Sequence, residues 1–150
     1  MFIERTDIAQ SYTLDDLDRL TDSTDAVWQS ELGRVIELVS SYLRARYDVT
    51  AVFAATGSER NQMIVSVVID ILIYNLLARV NNTDIPATRK ERYDGNSPQQ
   101  TGGAIGLLKQ IAKGQVEPDL PLREDGQEDQ TGNIVMSGNA EDSTLKNSSF

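Results

Sequence analysis

Residues 58–80 read SERNQMIVSVVIDILIYNLLARV, and apolar residues fall on nearly every side of a helix drawn through them. Of the 18 residues from Met63 to Val80, 14 are apolar, so no single face stands out as the buried one. A helix that is hydrophobic all round must be enclosed, by a bilayer or by a protein body. Ser58 is suited to N-cap this helix, with Glu59 in its first turn. The other helical patterns are few and short, so the enclosure calls for neighbouring subunits as well as neighbouring helices. Assembly, rather than catalysis, is the first expectation.

The polar residues inside the run argue against a membrane span. Asp70 stands at its middle, where a carboxylate costs about 2.5–3.5 kcal/mol in a bilayer. At 100° per residue Gln62, Ser66 and Asp70 share one stripe, and Asn75 and Arg79 lie nearly opposite. A spanning helix tolerates this poorly, whereas the central helix of a bundle carries it readily. Asp70 is therefore expected to be a structural, buried polar residue, hydrogen-bonded to a neighbouring helix or chain.

The flanking pattern predicts further helices. Thr13-Leu-Asp-Asp16 matches a capping box and opens a short helix with Leu14, Leu17 and Leu20 at period three, ending near Thr21. A second starts at Thr24 or Asp25. There Trp28, Leu32, Val35, Ile36, Val39, Tyr42 and Leu43 make one core stripe, running to about Arg46, and Glu31, Arg34, Glu37, Ser41 and Arg44 form the outer face. YDVTAVFAATG then reads as a packed loop, because Asp48, Thr50, Thr56 and Gly57 break helix while Val52 and Phe53 anchor it. After the central helix, Pro86 suits the first turn of a helix ending near Asp94. The run GNSPQQTGG is a break. Ile105, Leu108, Ile111 and Ala112 then share a stripe that Gly114 stops.

These elements predict an all-α fold: a small helical bundle around a central apolar helix, with an extended acidic C-terminal tail. The helical domain covers residues 1–122. From Glu117 the composition turns to prolines, acids and amides without period, and residues 123–150 read as an extended or disordered tail. That tail holds one apolar, β-capable island, Ile134-Val135-Met136, between Gly132 and Gly138. A short strand at 133–137 that adds to the edge of a partner's sheet is the functional expectation for it.

Charge and composition narrow the chemistry. The net charge is −9, of which residues 117–150 carry −6, so the helical part is only mildly acidic and shows no basic face of the kind nucleic-acid binding needs. The chain has no Cys and no His. That removes thiol and imidazole nucleophiles, the usual zinc sites and disulfides. The N-terminal MFIERTDIAQ has no apolar h-region and does not read as a signal peptide. Paired carboxylates at Asp15/Asp16, Glu124/Asp125, Glu128/Asp129 and Glu141/Asp142 read as a helix cap and a solvated tail. EDGQED lacks the ligand spacing of a calcium loop. Arg89, Lys90, Arg92, Lys109 and Lys113 are interspersed with acids and suit a solvated or intersubunit ion-pair face. The cluster from Gly102 to Gly106 lacks the preceding strand of a phosphate loop. No nucleophile, base and orienter assemble, so the expectation is a protein that is not an enzyme, with no cofactor and no metal.

Taken in order, several features resemble the Mu-like phage head–tail connector family. They are a Tyr-Asp at Tyr47-Asp48, Phe53, Gly57 through Arg60 and Asn61 opening the central helix, and Asp70 within it. Arg89, Arg92 and Tyr93, then Leu108 and Gly114, then Leu120-Pro121 continue the series. The resemblance covers about residues 1–122. GNSPQQTGGAIG departs from it: in the family Arg-Tyr leads almost directly into the last helix, so this stretch reads as an insertion, and continuity of the last two helical segments is left open. The resemblance implies a non-enzymatic virion protein of the neck, at the head–tail interface. It also implies assembly in the host cytoplasm as a homo-oligomeric ring, generally of twelve, bound to the portal protein above and a stopper or tail-completion protein below. DNA would only pass through the lumen, and no membrane is involved. The alternative is a DNA-binding packaging protein such as a small terminase subunit, which needs a basic helix-turn-helix. A third reading is an acidic inhibitor or antitoxin that mimics DNA, whose charge belongs on the folded body rather than the tail.

Overall fold

The computed structural model describes residues 1–9 and 11–124. Seven α-helices occur among them: α1 (Arg5–Ile8), α2 (Leu14–Leu20), α3 (Asp25–Leu43), α4 (Val49–Ala54), α5 (Gln62–Asn81), α6 (Ala87–Asp94) and α7 (Gly103–Ala112). No strand forms among the described residues; one isolated antiparallel bridge joins Tyr47 to Leu122. The fold is all-α, a small bundle around a central apolar helix, as the periodicity predicts.

That central helix is α5. It packs against α2, α3, α6 and α7, and Ile64, Val65, Val67, Val68, Ile69, Ile71, Leu72, Ile73 and Leu76 are all buried. It is the one described helix long and apolar enough to cross a membrane, yet the chain's own helices surround it. No neighbouring subunit is needed to enclose it, contrary to the expectation from its neighbours' shortness. Only its ends show large apolar surface, Met63 and Val80 being 40% and 56% exposed.

The capping chemistry sets the boundaries. Thr13 Oγ accepts the Asp16 amide at 3.2 Å, starting α2 where the capping box places it. The central helix starts later than predicted: Asn61 Oδ1 accepts the amides of Met63 and Ile64, and Ser58 lies in the 3₁₀ turn Gly57–Glu59. YDVTAVFAATG is not a loop. Asp48, read there as a breaker, caps α4 by accepting the Thr50 and Ala51 amides. Glu31, placed on the outer face, is 8% exposed and paired with Arg34 at 2.7 Å. Leu14 and Ala112, placed on core stripes, face outward. The first residues belong to the body, since Phe2, Ile3 and Ile8 are buried and Phe2 meets the Phe53 ring edge-on at 4.9 Å.

The segment GNSPQQTGG separates α6 from α7, which pack on each other as a hairpin. Gly95 takes φ +74°, and a Cβ there would lie 2.6 Å from the Gly102 Cα. Two residues without side chains close the base of this hairpin, and Lys109 Nζ donates to the carbonyls of Gln99 and Gln100 across it. After Gly114, φ +72°, the chain runs as a strap along the α3–α4 corner to residue 124.

Candidate functional site

The polar stripes of α5 both reach the surface, on opposite sides of the bundle. Gln62, Ser66 and Asp70 line a narrow polar cleft of about 150 Å³ together with Asp7, Ser11 and Arg92. Asn75 and Arg79 line a wider groove of about 640 Å³ with Ala26, Val27, Ser30 and Glu31. Arg79 is held there by the Leu20 carbonyl and the Asp22 carboxylate, both at 3.1 Å.

Asp70 is less buried than its sequence surroundings suggest, with its side chain 21% exposed. Its partner is Arg92 of α6, at 3.6 Å, an ion pair longer than a strong charge-assisted hydrogen bond. The stripe position explains this, because Asp70 sits at the mouth of the cleft where α5 meets α6. Burial pushes the Asp70 carboxyl above the ordinary aspartate value, and the charges of Arg92 and Arg89 only partly offset it. One turn further along α5, Tyr74 stacks on Tyr93 of α6 at 3.9 Å between centroids and nearly parallel. Arg89 donates to the Ser11 carbonyl at 2.6 Å and lies over the Tyr12 ring. α6 contributes no buried residue, so these polar and aromatic contacts are what fasten it.

The basic residues that the sequence brings together are thus dispersed. Arg89 turns inward to Ser11 and Tyr12, Arg92 stays exposed while pairing with Asp70, and Lys109 bonds the hairpin loop. At the other end of the cleft Arg60 donates to the Phe2 carbonyl and to both oxygens of Asp7, at 2.7 to 3.0 Å. That hydrogen bonding holds the Asp7 carboxyl below its ordinary value against the opposing effect of burial. Among the described residues no three His, Cys, Asp or Glu side chains gather as metal ligands would.

The strap fixes where the remaining chain departs. Arg46 pairs with Glu117 at 2.7 Å, Asn61 Nδ2 donates to the Asp119 carbonyl, and Val116 and Leu120 pack against the core. The Asp48 amide donates to the Pro121 carbonyl at 2.9 Å, and the Arg123 amide to the Arg46 carbonyl at 3.0 Å. These two bonds flank the Tyr47–Leu122 bridge. Beside it lies a shallow groove of about 490 Å³ lined by Arg44, Tyr47, Asp48, Val49, Arg123 and Glu124. Nothing in the sequence marks this small ladder, since two or three paired residues have no detectable period. The predicted partner-binding residues Ile134, Val135 and Met136 lie outside the described residues.

The family model described as Bacteriophage Mu, Gp36 matches residues 2–137. The match runs past Leu122, where the sequence resemblance stops, and takes in Ile134-Val135-Met136. No curated protein and no solved structure matches the chain.

Proposed function

The chain belongs to the Bacteriophage Mu Gp36 family and is a Mu-like phage protein, and from that membership we propose that it is a structural component of the virion neck. In this reading it is a head–tail connector, an adaptor without enzymatic activity. Its copies form a ring, of twelve by the general habit of such adaptors, between the portal protein and a stopper or tail-completion protein. The observation that carries the reading is the extent of the family match, which spans the helical body and the apolar island of the tail together. The architecture supports it. The body encloses its own apolar helix, as a subunit that folds before assembling must, and the strap delivers the remaining residues from one fixed point on the surface. Copies of such a body joined by a head-to-tail contact close into a ring when the rotation permits.

The packaging alternative needs a basic surface, and the engagement of Arg89 by Ser11 and Tyr12 and of Arg92 by Asp70 works against it. Negative-stain images and mass measurement of the purified protein, alone and with its phage's portal, test the proposal. Closed rings, or capture of the chain by the portal ring, are expected. A monomer at every concentration that ignores the portal and shifts duplex DNA with a steep salt dependence would replace it with the packaging reading.

A further inference from the structure

The bridge between Tyr47 and Leu122 leaves one strand edge open. Its two flanking hydrogen bonds use the Pro121 carbonyl and the Arg123 amide, so the amide and carbonyl of Leu122 itself point away from Tyr47. Neither has a partner among the described residues, and the Leu122 side chain is 55% exposed. On the opposite side the edge is closed, because the Tyr47 amide donates to the Leu43 carbonyl at the end of α3. An unpaired N–H and C=O on an anchored, extended segment form a template for strand addition.

We propose that this edge is an acceptor site for a second copy of the chain, which adds its Ile134-Val135-Met136 as the strand paired with Leu122. The inference rests on the ring reading above and names the contact that would link its subunits. Three observations select this occupant. First, Ile134-Val135-Met136 is the apolar run of the sequence after Leu122, set between glycines and rich in β-branched residues. Second, the connection suits a reach outward rather than a tight return. It carries Glu124, Asp125, Glu128 and Asp129 within six residues, and like charges at that density repel and extend a linker. Third, the lengths agree. Twelve residues from Arg123 to Ile134 span at most about 40 Å, and a body of this size is about 35 Å across, so the same edge on an adjacent copy lies within reach. Each copy gives one strand and receives one, which is the head-to-tail arrangement that closes rings. A single short strand binds weakly, and the closed circle of such contacts supplies the avidity.

The chain has no cysteine, so a cross-link can be placed without background. Residues paired directly across an antiparallel ladder have Cα atoms about 5.5 Å apart, within disulfide range. Full-length chains carrying Leu122→Cys alone are mixed with chains carrying Val135→Cys alone and oxidised. A 122–135 linked dimer is expected as the main product, and Val135→Pro, which removes an amide from the added strand, is expected to weaken self-association at least tenfold while leaving the helical signal unchanged. A double variant that forms only an internal link would show that each chain fills its own edge and would overturn the proposal. Rings that form without any 122–135 link would also overturn it while leaving the connector reading intact. If neither rings nor links form at any concentration, with or without portal, both fail together.

Discussion

Arg60 ties the first residues of the chain to the turn before the central helix through one carbonyl and one carboxylate. Both members of the ion pair are largely shielded, Arg60 and Asp7 being 13% and 19% exposed. Arg60→Ala would leave the Asp7 charge and the Phe2 carbonyl without their donor, at an expected cost of about 2–3 kcal/mol in urea unfolding at pH 7. The pH signature has a definite sign. The folded Asp7 value is lowered, so its contribution is present above the ordinary value of 3.8 and is lost as pH falls through the folded value. The difference between wild type and Arg60→Ala should therefore shrink on the acid side of pH 4. Asp70 behaves in the opposite sense. Its folded value is raised, so the charged form is disfavoured at neutral pH and stability is recovered as pH falls through the folded value toward 3.8. Asp70→Asn is expected to match or exceed wild-type stability at pH 7, with the gap closing in acid, whereas Asp70→Ala loses about 1 kcal/mol through lost packing at the seam. A large, equal loss in both variants would instead show that the Arg92 ion pair dominates.

Among the elements, several helix ends were legible in the sequence from a single boundary residue. Thr13, Thr24 and Gly114 each mark a boundary that the structure reproduces, and Pro86 stands one position before the first turn in which it is expected. Asp48 and Ser58 were not, because Asp both breaks and caps helices, and because two suitable caps, Ser58 and Asn61, stand three residues apart. Asn61 is the cap, and Arg60 before it is extended and bonded to Phe2 and Asp7. The two polar stripes of α5 follow from the helical angle alone, but what faces them does not, since Asp7, Ser11 and Arg92 come from distant parts of the chain. Two glycines separate these cases experimentally. Gly33 lies on the exposed face of α3 with open space around its Cβ position, so Gly33→Ala should add about 0.5–1 kcal/mol. Gly95→Ala meets both a left-handed backbone and the Gly102 Cα, and should cost at least about 1–2 kcal/mol by opening the α6–α7 hairpin. Because α6 buries no residue, its amides are expected to exchange at least about tenfold faster than those of α5 in hydrogen–deuterium measurements. Equal protection would mean that the Tyr74–Tyr93 stack and Arg89 bind α6 as firmly as core packing does.

At the scale of the whole molecule, the proposed ring contact would divide folding and assembly between different parts of the chain. Among the described residues the buried core runs from Phe2 to Ile111, while in the proposed ring the open edge at Leu122 would receive the island at 134–136 of an adjacent copy. Deleting residues 132–150 should accordingly leave the melting temperature within about 1 °C of wild type and abolish incorporation into the neck. Normal assembly of infectious particles by the truncated chain would show that the tail is dispensable.

The way α5 is covered also has a consequence for synthesis. Two of the elements that cover it, α6 and α7, follow it in the chain, and α7 is complete only roughly thirty residues after α5 ends. At about 5–20 residues per second, a ribosome leaves this helix half-dressed for roughly 2–6 s. During that interval the nascent chain displays a segment with the length and hydropathy of a membrane anchor. Ser66, Asp70 and Asn75 make that segment a poorer anchor than a wholly apolar one, because polar side chains, the Asp70 carboxylate above all, are costly in a bilayer.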